Sequence, residues 1–361
     1  MVAALVPVAL KGLAVMGHTA GGELPFTLRG SATPQGPQVL PEGRSLRYAA
    51  IVALGLAGCA EDSQRAALGG QSAAELAVAA LELAQTSDDP GAVALAVWAA
   101  AEVAGEESTD ALDRLSRLAD RPGIPTVDTS WTVVAGLALS NGRGEQLWRT
   151  AAGRLLANEG GRGIYPHNLP MAGGIRGHVG CFADQIYPVQ AHARAFRATG
   201  DPAFLEAANR TARRIVELQG PQGQWWWHYD ARTGDVVEGF PVYSVHQHGM
   251  APMALFELLE AGGDDHRAAV ASGLDWLTAH PECVEPLIAP ELGVIWRKVG
   301  RREPRKAARL LSALGTKVRP GFVVPGLDRA FPPGGVDYEC RPYELGWLLY
   351  AWPDVCKGGL H

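Results

Sequence analysis

Three side chains able to do chemistry stand where a helix begins: Asp128 in Asp128-Thr-Ser-Trp131, Asp184 in Asp184-Gln-Ile-Tyr-Pro188, and His246 in His246-Gln-His248-Gly249. A helix start exposes unpaired backbone N–H groups and the positive end of the dipole, so it favours an anionic side chain or an anionic ligand. Carboxylates gathered there suit acid/base work on a polar bond, with one group protonating and another acting on water or on developing positive charge. Each Asp is equally well placed as a plain first-turn charge. Asp184 or Asp128 is expected to be the acid/base, partnered by His246, while Asp230, Glu238 and Tyr243 in segment 228–243 add two carboxyls and a phenol.

Directly before that segment Trp225, Trp226 and Trp227 stand side by side, followed by His228. Indole faces stack on sugar rings, but three consecutive positions do not face one way, so at most two should line a pocket. Trp131, Tyr187, Gln247 and His248 complete the expected contacts to a hydroxyl-rich ligand. A last cluster packs Asp337, Glu339, Arg341 and Glu344 against the start of an apolar helix, where unpaired charge is costly; a salt-bridged turn accounts for it equally well. Arg176, Arg297 and Arg341 are the candidates to hold a substrate carboxylate. His246 and His248, two apart on a helix, point away from each other, and the five cysteines show no CxxC spacing. Neither a metal nor a cofactor is expected, and reduced cytosolic thiols fit better than a disulfide framework.

Apolar period and capping residues predict about twelve helices, near 45–57, 73–85, 91–104, 108–120, 129–140, 144–158, 182–199, 202–219, 245–261, 265–279, 303–315 and 341–352. No hairpin of alternating strands is apparent. Helices come in pairs joined by short turns, and some, such as Ala92 to Val103, are apolar most of the way round and so need burial on several faces. The expectation is an all-α, single-domain (α/α)6 toroid over 45–361, with 1–44 packed on it. An α-solenoid is the competing arrangement. In a toroid alternate helices run the same way, so Asp128, Asp184 and His246, on the fifth, seventh and ninth helices, share one mouth. The helix at 341 comes out even-numbered, at the opposite end. Its composition matches the mouth loops, which points to a miscount near 303.

The chain has 361 residues, 47% apolar and 19% charged, with net charge −6 and no dominant Lys/Arg run, so nucleic acid is not an expected partner. Met1 to Met16 is apolar but broken by Pro7 and Lys11, too short to span a bilayer and without the basic start of a signal peptide. A packed N-terminal helix and a cytoplasmic location are expected.

Gln219-Gly-Pro-Gln-Gly223-Gln-Trp225 resembles the Q-x-x-x-G-x-W repeat of the terpenoid cyclase and protein prenyltransferase toroids, over roughly 20 residues. Thr126-Val-Asp128-Thr129 resembles the D-x-D-D segment of those cyclases with two carboxylates replaced, which implies Asp128 as a proton donor. Thr199-Gly-Asp-Pro-Ala-Phe-Leu-Glu-Ala-Ala before a Trp-rich loop is similar to the six-hairpin glycosidases, uronate lyases and sugar epimerases. The loop pattern also resembles uncharacterised toroid proteins associated with bacterial polysaccharides. The polar mouth favours a carbohydrate-active enzyme taking a small-molecule or oligosaccharide substrate, such as one containing uronic acid, by hydrolase, lyase or epimerase chemistry. The alternatives are an isoprenoid cyclase and a non-catalytic glycan-binding protein. A cyclase pocket should be closed and apolar, so an open one with three or more histidines counts against it.

Overall fold

The computed structural model describes residues 1–17, 23–34, 36–304 and 306–357. Its helices in chain order are α1 (Val2–Met16), α2 (Leu46–Leu56), α3 (Glu61–Ala67), α4 (Ala73–Ala84), α5 (Pro90–Ala99) and α6 (Thr109–Ala119). Then come α7 (Thr126–Ala138), α8 (Glu145–Ala157), α9 (Ala183–Thr199), α10 (Pro202–Glu217), α11 (Ala251–Glu260) and α12 (Arg267–Ala279). The last are α13 (Ala307–Val318), α14 (Leu327–Ala330), α15 (Pro342–Ala351) and α16 (Pro353–Cys356). A π turn, His246–Met250, runs directly into α11.

Local chemistry sets the helix ends. Ser72 and Glu75 form a reciprocal capping box on α4, and Asp89 caps α5 with Pro90 at its first position. Gly200, at φ 72°, closes α9 in a left-handed conformation before Asp201 caps α10. Residues Gly91 to Ala99 of α5 are buried without a break, as a helix apolar on every side requires.

The buried faces close a ring. Helices α2, α5, α7, α9, the π turn with α11, and α15 each pack on the next, and α15 packs back on α2. Helices α4, α6, α8, α10 and α12 pack outside them, and α1 lies against α15. The fold is an α/α toroid. Helix α13 is not a member of the ring: it rests on a small sheet at the mouth. Leaving it out makes α15 an inner helix that starts at the same end as α7 and α9, so the miscount lay there.

The ring's seam, where α15 meets α2, depends on two glycines. A Cβ added at Gly55 would lie 2.2 Å from the Gly346 carbonyl oxygen, a contact with backbone that no rotamer change relieves. Gly55→Ala is therefore expected to force the two helices apart and cost about 1–3 kcal/mol, read as a lower midpoint in denaturant unfolding. An unchanged midpoint would show that the seam has slack.

The expectation of no hairpin was wrong. Strands β1 (Thr27–Thr33) and β2 (Gly36–Glu42) pair antiparallel in register from Thr27–Glu42 to Thr33–Gly36. Beyond Leu28 both strands are largely exposed, so no apolar alternation marks them, and backbone pairing carries the register. Short strands β3 (Ile124–Pro125) and β4 (Asn168–Leu169), β5 (Val179–Cys181), β6 (His228–Asp230) and β7 (Val236–Glu238), and β8 (Val242–Tyr243) follow. Then come β9 (Ile288–Ala289), β10 (Val294–Ile295), β11 (Lys298–Arg301), β12 (Pro333–Val336) and β13 (Glu339–Cys340). They tie the long loops together in small sheets, β3 with β4, β5-β6-β7, β8-β11-β12, β9 with β10, and β13 beside β1. Strands β3, β5, β8 and β13 lie just before α7, α9, the π turn and α15, and so position the inner-helix starts.

Candidate active site

At those helix starts a cleft opens in two lobes. The inner lobe, about 280 Å³, is lined from five inner helices: Arg47 and Tyr48 of α2, Trp131 of α7, Tyr187 of α9, His246 of the π turn, and Tyr343 at the start of α15 with Arg341 just before it. Tyr243 and Arg297 complete it. The outer lobe, about 730 Å³, is lined by His167, Arg176, Asp184, His228, Lys306 and Arg309 among others. The two lobes share Cys181 and Trp227. Burial pushes the Cys181 thiol well up, which disfavours a thiolate nucleophile.

Asp184, fully buried in the first turn of α9, accepts the Cys181 backbone N–H at 2.7 Å. Both its oxygens lie 3.2 Å from His167 Nδ1. The imidazole is more than half exposed to the cleft, so its other nitrogen faces the space a ligand would fill. The hydrogen bond to Asp184 raises the His167 pKa above its usual value, helped by Asp128 and opposed by burial.

Asp128 is buried in the first turn of α7 and bound at two points by Arg47, Nη1 to Oδ1 at 2.8 Å and Nη2 to Oδ2 at 3.1 Å. Arg47 also pairs with Asp89, the cap of α5, so one guanidinium joins the starts of α2, α5 and α7. Burial pushes the Asp128 pKa up further than Arg47 pulls it down. The pair fits only beside a glycine: a Cβ at Gly91 would sit 2.3 Å from Asp128 Oδ1.

The expected partner of these carboxylates, His246, lies elsewhere. Its ring stacks on Phe182 at 4.4 Å and tilts against Tyr243 at 4.9 Å, and burial lowers its pKa to about 3, so it lines the inner lobe as a neutral aromatic group. Tyr243 lies under the Arg297 guanidinium, its phenol pushed up to about 12 by burial. Of the three adjacent tryptophans only Trp227 lines the cleft, stacked on His228 and covered by Arg309. Trp225 is fully buried against Phe182, and Trp226 packs on Phe240.

Several candidates are committed to the scaffold. Asp230 is bound by Arg232 at 2.7 Å, and Glu238 by Arg301 at 2.9 Å and Ser312 at 3.1 Å. Gln247 spans the Tyr243 carbonyl and the Trp225 N–H, and His248 is buried away from both lobes. Arg297 is already paired with Asp337 and Glu339, and Arg341 with Glu339 and the Tyr48 hydroxyl. Glu344 is buried behind them, takes the Arg341 N–H, and has its pKa raised to about 8 by burial.

The free positive charge sits in the outer lobe. Among the described residues, the Arg176 side chain has its one hydrogen-bond partner in the neutral His228 ring, at 3.1 Å, and the nearest carboxylate to Arg309 is Glu303 at 4.0 Å. Burial lowers the pKa of both guanidinium groups, as expected where little anion compensates them. Sequence reasoning missed Arg47, Arg309, Lys306 and the pairing of His167 with Asp184. Each depends on segments brought together only by the closed ring.

No family model matches the chain, and no curated protein sequence matches it. Solved structures do. The unsaturated glucuronyl hydrolase of Bacillus sp. GL1, responsible for the degradation of glycosaminoglycan, aligns with TM-score 0.59 at 14% identity, over 99% of this chain and 97% of that one. One specific for heparin aligns with TM-score 0.56 at 14% identity, over 97% and 95%. One from Streptococcus agalactiae, complexed with dGlcA-GalNAc6S, aligns with TM-score 0.58 at 12% identity, over 99% and 92%. At these identities the likeness is one of fold: along nearly its whole length the chain shares the α/α toroid of these hydrolases.

Proposed function

We propose that this chain is a hydrolase of uronic-acid-containing glycans that works through an imidazolium, that of His167, held by the Asp184 carboxylate. The observation that carries the reading is the His167–Asp184 pair opening into a cationic, Trp-lined cleft. The matched structures are glycan hydrolases, and two act on or bind glucuronyl-containing chains. His167 donates its outward proton to the substrate as the bond to the uronosyl ring breaks. Asp184 keeps that proton in place beforehand, and the buried charge of Asp128 stabilises the positive charge that grows on the ring. Water adds to the ring and returns a proton to the imidazole. Arg176 and Arg309 hold the substrate's carboxylate, with Trp227 beneath a sugar ring.

The test is incubation with 4,5-unsaturated glucuronyl disaccharides and their saturated counterparts, following the ultraviolet absorbance of the conjugated ene-carboxylate and released sugar. Loss of absorbance supports hydrolysis of the unsaturated ring. Sugar release from saturated substrates alone moves the activity to ordinary uronosides, and binding without turnover makes the chain a glycan-binding protein. Because the pKa of His167 is raised, its acid form persists above the usual histidine range. Activity is expected to fall only as pH rises through that raised value, and the pair's contribution to stability fades over the same interval. A basic limb at or below the ordinary histidine value would remove His167 as the acid. The isoprenoid cyclase reading fits less well: Asp128 is tied at two points to Arg47, and three histidines line an open cleft.

A further inference from the structure

Helix α13 is built inside out. Its inward residues are small or polar: Ala308, Ser312, Ala313 and Thr316 are buried, with Ser312 bonded to Glu238 and Thr316 to His178. Its outward residues are large and apolar: Leu310, Leu314 and Val318 are 53%, 45% and 80% exposed, and Val323 beyond the helix is 78% exposed. An ordinary surface helix shows the reverse, and contiguous exposed apolar side chains mark an interaction face.

The surrounding charge identifies the partner. Residues 297–319 contain nine Lys or Arg and one acid, Glu303, in a chain whose net charge is −6. Of these, Arg302, Lys306, Lys317 and Arg319 are exposed. An apolar face with a basic rim matches an anionic lipid surface, which takes the side chains among its acyl chains and pairs its headgroups with the cations. A second copy of this chain would set one basic rim against another, and a glycan offers nothing to cover leucine. No helix among the described residues is long and apolar enough to cross a membrane, so the contact is interfacial.

We propose that α13 and the turn after it seat the mouth of the toroid on an anionic membrane. Lys306, Arg309 and Leu310 belong both to this segment and to the outer lobe's lining, so docking places the cleft at the lipid surface. The proposal does not depend on which reaction the cleft performs.

The test is flotation of the full chain with vesicles of phosphatidylcholine alone or mixed with phosphatidylglycerol. Binding is expected only to the anionic vesicles, to weaken as salt is raised, and to drop about tenfold or more in a Leu314→Ser, Val318→Ser, Val323→Ser variant whose melting is unchanged. A Lys317→Glu, Arg319→Glu variant should lose the preference for anionic lipid. Absence of flotation, or flotation that neither variant reduces, would overturn the proposal. So would a dimer in light scattering that the serine variant dissolves without any vesicle binding, which would give the face to a second copy.

Discussion

Replacing Asp184 by Asn is expected to lower kcat by about 10²- to 10⁴-fold while the protein stays folded. The amide keeps the carboxylate's size, and its oxygen still accepts the Cys181 N–H. It loses the carboxylate's hydrogen bond to His167, the largest cause of that ring's raised pKa, together with the charge that adds to it. The remaining activity should therefore carry a basic limb moved to lower pH. Two measurements check this together: the pH dependence of kcat on an unsaturated glucuronyl disaccharide, and the titration of the His167 ring by NMR. A shifted titration with kcat intact would make the pair structural and remove it from the mechanism.

The largest loss of stability should come from Arg47→Met. Among the described residues Arg47 is the only cation paired with Asp128, whose side chain is 4% exposed, and it also holds Asp89, at 42%. Removing one member of a buried pair leaves a charge without compensation, typically 3–5 kcal/mol. Solvent reaching Asp89 relieves part of this, so a cost of about 3 kcal/mol is expected in denaturant unfolding. Adding Asp128→Asn to the same chain should recover much of the loss, because the stranded charge is then gone. A double variant no more stable than Arg47→Met would mean that packing of the guanidinium on Trp131, at 5.4 Å, was the main contribution.

The helices were legible because period and caps are local: α5 and α10 begin at Asp-Pro steps readable by eye, and α4 at a Ser-x-x-Glu box. The shared mouth followed from alternation alone. Helix α13 misled because its period is that of any amphipathic helix, and period does not say which face turns inward. The site was readable as a place and poorly as a set of contacts. His167 lies in a loop and Asp184 on the next inner helix, joined by the β5 turn that lends Asp184 the Cys181 N–H. Arg47 has nothing in its own segment to distinguish it, since both its carboxylates come from later helices. Trp225 and Trp226 share the composition of Trp227 and differ only in what packs over them.

The seam between α2 and α15 also bears on how the chain comes to be folded. It unites residues nearly 300 positions apart, as in the Arg341–Tyr48 contact at a separation of 293. During synthesis five inner helices emerge as an incomplete arc, with the apolar flanks of α2 and α11 uncovered until α15 leaves the ribosome. Such an arc offers its open edges to any other nascent chain, so ring closure is the slow, aggregation-exposed step. Chaperone capture during translation should accordingly fall once the residues of α15 have emerged, and a ribosome stalled before them should hold a chain still sensitive to protease.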